Sequence, residues 1–308
     1  MKKTGIFIAT LITLLAISAF YNIKPVSNKL WFVHIAGANT RPTYDSYHHI
    51  KEAQQLATGK GIKVGLLDKY FGYSKNKSLF SGGLNFTGDK QAFEEIEEHG
   101  FWMATTLREI APGVEIYALN ARDRDRKKEK EAIIKAIDWA IENKLDILTY
   151  SAEIFRPEDR PEIDKAVQKA IRNNILVIFL HYDLPENLLP YGFFPKGTAG
   201  YGREIDVNVF HFDYSLLLLS NYENYINAGR VQSDSGNMPY FSFSSMPPVL
   251  AGIAAMMKEK DKTLTVGQIK KILIDTSRKI VYNGYNVEHV VDAAGALNSI
   301  LNKNANSN

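Results

Sequence analysis

The sequence predicts an α/β fold, a mostly parallel sheet with helices on both faces. Three observations predict it. From residue 60 onward, short apolar strands alternate with amphipathic helices. The helices carry their apolar residues at helical spacing along one face. The run from Ile175 to Leu180 is apolar throughout, as befits a strand covered on both faces.

Taken in order, Lys63–Leu67 reads as a buried strand. A glycine-bearing stretch through Gly82, Gly83 and Gly88 follows and reads as loop. Val114–Leu119 is the second predicted strand. Glu131–Asn143 is the first long helix, with Ile133, Ala136, Ile137, Ala140 and Ile141 on one face. Asp146–Tyr150 is the next strand, and Ile163, Val167, Ala170 and Ile171 stripe the helix after it. The C-terminal part holds helices near Pro248–Lys258 and Val266–Thr276. Strand–helix–strand alternation of this kind implies right-handed crossovers between parallel strands.

Residues 50–300 are assigned to one domain, residues 21–49 to a lead-in segment and residues 301–308 to a polar tail. Hydrophobic residues make up 45% of the 308-residue chain and charged residues 23%, enough to bury a substantial core. With 37 basic and 34 acidic residues the formal net charge is +3. That balance gives no electrostatic case for a nucleic-acid partner. The dense run Arg122-Asp123-Arg124-Asp125-Arg126-Lys127-Lys128 reads as a solvated loop leading into a helix. The chain has no cysteine, which excludes disulfides, thiolate zinc sites and a thiol nucleophile.

Residues 1–20 read as a signal peptide or an N-terminal membrane anchor. Lys2 and Lys3 give a positive start, and Gly5–Phe20 is almost unbroken apolar sequence. The expected location is extracytoplasmic, secreted or membrane-attached through residues 5–20. The oligomeric state is left open.

In open parallel sheets, ligands bind at the carboxyl ends of the strands, which directs attention to Asp68 and Asp183. A serine nucleophile needs a base to take its proton and a carboxylate to orient that base. Ser244 stands before an apolar helix, where serine alone would read as an ordinary cap. His99, among seven histidines, follows an acidic run, precedes a glycine and opens an apolar helix. No histidine pair shows metal-ligand spacing, so His48, His49 and His211 read as structural.

The motifs around these positions resemble the subtilisin-like serine peptidases (subtilases). Gly61–Asp68 is similar to the family segment in which a strand ends at the catalytic Asp. Gly82–Phe86 resembles the segment leading to the His motif, and His99-Gly100 with Met103-Ala104 and Ile110–Leu119 resembles that motif and the strand after it. Ala136–Ala140 and Leu145–Leu148 match the next helix and strand. Phe243–Gly252 resembles the nucleophile motif, and Val290–Ala293 with Ala296-Leu297 the closing segment. The likeness spans residues 50–298. It implies a three-layer α/β/α fold, a triad of Asp68, His99 and Ser244 in the family's chain order, and a polypeptide substrate cleaved through an acyl-enzyme. It places an extended substrate against Tyr150, Ser151, Ala152 and Glu153. It also implies a structural calcium, for which the sequence offers no evident oxygen cage; no cofactor is identified.

The surround departs from the family pattern. Lys69 and Tyr70 follow the Asp where Ser or Thr and then Gly are usual. Trp102 stands where a second His is usual, and Ser242-Phe243 replaces Gly-Thr before the nucleophile. The best register puts Asp183 where the family supplies an oxyanion-binding Asn, with His181 or Asn187 as substitutes if the loop shifts. An ionised carboxylate has no proton to donate there. The alternative reading is therefore an inactive subtilase scaffold that binds or regulates without cutting.

Overall fold

The computed structural model describes residues 48–152, 159–179, 191–192, 207–208, 244, 246–282 and 285–305. All of them fall within the unit Thr43–Asn308. Residues 1–20 and the calls on Glu153, Asp183, His181 and Asn187 lie outside the described residues.

A five-stranded, all-parallel sheet organises the domain. Its strands are β1 (Lys63–Asp68), β2 (Gly82–Asn85), β3 (Glu115–Asn120), β4 (Ile147–Tyr150) and β5 (Leu176–Phe179), in the order β2-β3-β1-β4-β5. The helices interleaved with them are α1 (Ile50–Leu56), α2 (Lys90–Glu94), α3 (His99–Ile110), α4 (Arg126–Glu142) and α5 (Arg160–Arg172). They are followed by α6 (Met246–Lys260), α7 (Val266–Asp275) and α8 (Ala293–Ala305). A smaller sheet joins β6 (Tyr191–Gly192), β7 (Val207–Asn208), β8 (Arg278–Tyr282) and β9 (Tyr285–Val290), in the order β6-β7-β9-β8.

The period of two along each strand sorts the core into two layers. Val64, Leu66, Ile116, Ala118, Ile147, Leu176 and Ile178 face α3 and α6. Leu67, Leu119, Leu148, Tyr150, Val177 and Phe179 face α4 and α5. Helices thus cover both faces, and the three-layer arrangement follows.

Several expectations change at element level. Gly82–Asn85 is not loop but strand, paired in register with Tyr117–Asn120 of β3. Glycines give no alternating pattern by which a strand could be recognised. α4 begins at Arg126, five positions before the sequence reading, because the Asp125 carboxylate accepts the backbone N–H groups of Lys127 and Lys128. The first turn is polar, so periodicity does not register it. α8 runs to Ala305, and the exposed residues from Leu301 form its last turn instead of a tail beginning there.

Candidate active site

The backbone of β1 brings Asp68 to the carboxyl end of the sheet, and its side chain is fully buried. His99 opens α3, and its Nδ1 lies 2.6 Å from Asp68 Oδ2. That contact places the ring proton on Nδ1. Burial pushes the Asp68 carboxyl up. The His99 ring, the Arg122 guanidinium and the Lys69 N–H together overcome this and hold it below the ordinary carboxylate value.

The two residues after Asp68 also cap the helix that carries His99. The Lys69 carbonyl accepts the Gly100 N–H at 2.8 Å. The Tyr70 carbonyl accepts those of Glu98 and Phe101 at 3.0 and 3.2 Å. The orphan donors of the first turn of α3 are thereby satisfied by the loop leaving the catalytic strand. Gly100 is required here, since a Cβ would meet the Lys69 carbonyl oxygen at 2.7 Å. The departure at Tyr70 has a backbone consequence, because Tyr70 adopts φ 65°, the left-handed region that suits glycine.

Ser244 stands half-buried just ahead of α6. α6 packs against α3, and they meet tightly at Gly252, where a Cβ would meet Ile110 Cγ2 at 2.6 Å. The C-terminal end of the helix that His99 opens therefore leans on the helix that Ser244 precedes. Trp102 turns its side chain against the core, and its carbonyl accepts the hydroxyls of Thr105 and Thr106.

The expected substrate-pairing run is corrected at one position. Tyr150 pairs with Leu67 on one side and Phe179 on the other, so it presents no free strand edge. Its ring is buried against Phe179 with 5.6 Å between centroids. Ser151 and Ala152 lie just past the last paired residue, both buried. The hydroxyls of Thr149 and Ser151 are buried with no hydrogen-bond partner among the described residues.

The charge run is corrected as well. Arg122 is not a solvated residue. The N–H groups of Ala121 and Arg122 donate to the Asp68 carbonyl at 3.0 and 3.4 Å, and Arg122 Nη1 lies 3.5 Å from Asp68 Oδ1. No spacing in the sequence marks Arg122, since the pairing depends on β3 lying beside β1. Among the described residues, no three His, Asp or Glu side chains gather to hold a metal ion.

No family model matches the chain. It is 28% identical over 226 residues to an intracellular serine protease of Paenibacillus polymyxa, covering 65% of this chain and 68% of that protein. It is 24% identical over 240 residues to subtilisin BL of Lederbergia lenta, covering 72% and 86%. These likenesses support a subtilisin-like serine peptidase. The solved structure of a lanthipeptide protease shares the subtilase fold, with a TM-score of 0.58 at 19% identity over 84% of this chain and 98% of that one. The candidate residues Asp68, His99 and Ser244 stand in the subtilase order, with the residues around them changed.

Proposed function

We propose that this subtilase hydrolyses peptide bonds of a polypeptide substrate through a triad of Asp68, His99 and Ser244. The observation that carries the reading is the 2.6 Å contact between His99 Nδ1 and the buried Asp68 carboxylate. His99 Nε2 takes the proton of the Ser244 hydroxyl as Oγ attacks the substrate carbonyl. A tetrahedral oxyanion forms, and His99 then protonates the leaving amine to give the acyl-enzyme. Water, deprotonated by the same imidazole, releases the acid and restores Ser244. Asp68 stays ionised throughout and stabilises the imidazolium.

The position of Ser244 before α6 supports its role, because helix N–H groups and the helix dipole favour negative charge developing there. We assign Ser151, Ala152 and Glu153 to the extended substrate, and Asp183 to the oxyanion region by register with the family. A protonated Asp183 would donate to the oxyanion, whereas an ionised one would repel it. Export is part of the proposal and rests on residues 1–20 alone, since one of the relatives is named as intracellular.

A fluorophosphonate probe tests the reading. The folded chain is expected to be labelled, and Ser244→Ala to lose the label completely. Folded wild-type protein that takes no label would favour the binding scaffold over the peptidase.

A further inference from the structure

Behind the Asp68–His99 contact lies a buried chain of polar groups that the triad reading does not use. Asp68 Oδ2 is committed to His99, while Oδ1 accepts the Lys69 N–H at 2.8 Å and faces Arg122 Nη1 at 3.5 Å. Arg122 Nε is buried, has no hydrogen-bond partner among the described residues, and lies 3.9 Å from Glu129 Oε1. That same Glu129 oxygen accepts the hydroxyl of the buried Tyr150 at 2.9 Å. The groups come from four parts of the fold: the end of β1, the turn after β3, the first turn of α4, and the end of β4.

We propose that Arg122, held between Glu129 and Asp68, is a positioning residue that keeps the Asp68 carboxylate ionised and aimed at His99. This rests on the triad reading above. A carboxylate with no solvent exposure is costly to keep charged unless it is paired. Arg122 places a permanent cation beside Asp68, whatever the state of the imidazole. Arg122 is itself fixed at both ends of its chain. Its backbone N–H is tied to the Asp68 carbonyl, and its guanidinium offers separate nitrogens to Asp68 and Glu129. Tyr150 in turn holds Glu129, which explains a buried hydroxyl on a sheet face where the other residues of β4 and β5 are apolar.

The sign of the effect follows from charge. The groups facing Asp68 are His99 from α3, Arg122 from the turn after β3, Tyr150 from β4 and the Lys69 amide. Those facing Glu129 are Arg122, Tyr150, Arg126 and Lys69. A positive charge at Arg122 opposes proton uptake by the Asp68–His99 pair, and a negative one at Glu129 favours it. Removing Arg122 should raise the pH midpoint at which the pair takes its proton, and removing Glu129 should lower it. For charges at these separations in a partly screened site, each change is about half a unit to one unit.

The test is an NMR titration of the His99 imidazole in the full chain carrying Ser244→Ala, with the signal identified by its loss in His99→Gln. Arg122→Gln is expected to raise the midpoint, Glu129→Gln to lower it, and Arg122→Lys to return it toward the starting value. A residue that merely supports the fold would reduce stability without moving the midpoint in opposite directions. An unmoved midpoint in folded Arg122→Gln overturns the proposal. Should that variant not fold, Glu129→Gln decides alone, and a midpoint that stays or rises overturns it. No turnover is needed, so failure of the probe to label Ser244 would sink the peptidase reading without touching this measurement.

Discussion

At the scale of single residues, the site reconciles a buried charge with a strained backbone. Asp68 is stabilised as the anion by neighbours that come from three separate segments. Tyr70 holds φ 65° because its N–H donates to the Ala92 carbonyl at 2.7 Å while its own carbonyl caps α3. A β-branched side chain tolerates that conformation worst, and Asn tolerates it comparatively well. Tyr70→Val is therefore expected to be less stable than Tyr70→Asn by about 1–2 kcal/mol. Urea unfolding of the two variants measures the difference, and equal stabilities would show that the backbone there is free to relax. Asp68, His99 and Ser244 were nominated by the sequence because each sits in a local motif. Arg122 was not, because nothing local distinguishes an inward-turned arginine from the charges around it.

At the scale of elements, α3 and α6 pack against one another, and Gly252 sets how closely they meet at Ile110. In an isolated helix, Gly→Ala is favourable by about 1 kcal/mol. Here the added methyl would press on Ile110 at 2.6 Å, and overpacking of this kind typically costs about 1–3 kcal/mol. Gly252→Ala should therefore lower the melting temperature and also reduce reaction with the fluorophosphonate. Adding Ile110→Leu should recover part of both losses, since it removes the Cγ2 branch that the new methyl would meet. If the double variant were no better than the single one, the contact would not be what spaces the helices. The sequence motif Ala251-Gly252 fixed the register of this helix, whereas the reason for its glycine lies eleven residues beyond His99, at Ile110.

At the scale of the whole molecule, the N-terminal edge of the described domain is closed against its C-terminal helix. His48 Nδ1 lies 2.8 Å from the Val291 carbonyl, and His49 Nδ1 lies 3.2 Å from Asp292 Oδ1. Arg278 Nε approaches the other Asp292 oxygen at 3.0 Å. Burial pushes the His48 pKa down from 6.5 to about 4, against the raising effect of its bond to Val291. The folded protein keeps this ring neutral while the unfolded chain takes a proton below 6.5. Stability should thus fall as pH drops from 6.5 to about 4, by up to roughly 3 kcal/mol from this residue. Asp68 acts in a lower window, because its depressed value preserves stability above 3.8 and loses it below. Melting temperatures of wild type and His48→Gln across pH 7 to 4.5 check the first effect. Parallel curves would rule out His48 as its source.

The sequence by itself determined the alternation of strands and helices, the likeness to subtilases and the three candidate triad residues. Each of these is written in a local period or motif that the chain carries wherever it folds. Only the tertiary structure decided that Gly82–Asn85 joins the sheet, that Tyr150 lies between two strands instead of at an edge, and that Arg122 turns inward to Asp68. These depend on which strands become neighbours, and pairing between distant segments leaves no periodic trace in either partner. The charge environment of Asp68 belongs to the second kind, because burial and the approach of a distant cation exist only once β1 and β3 lie side by side.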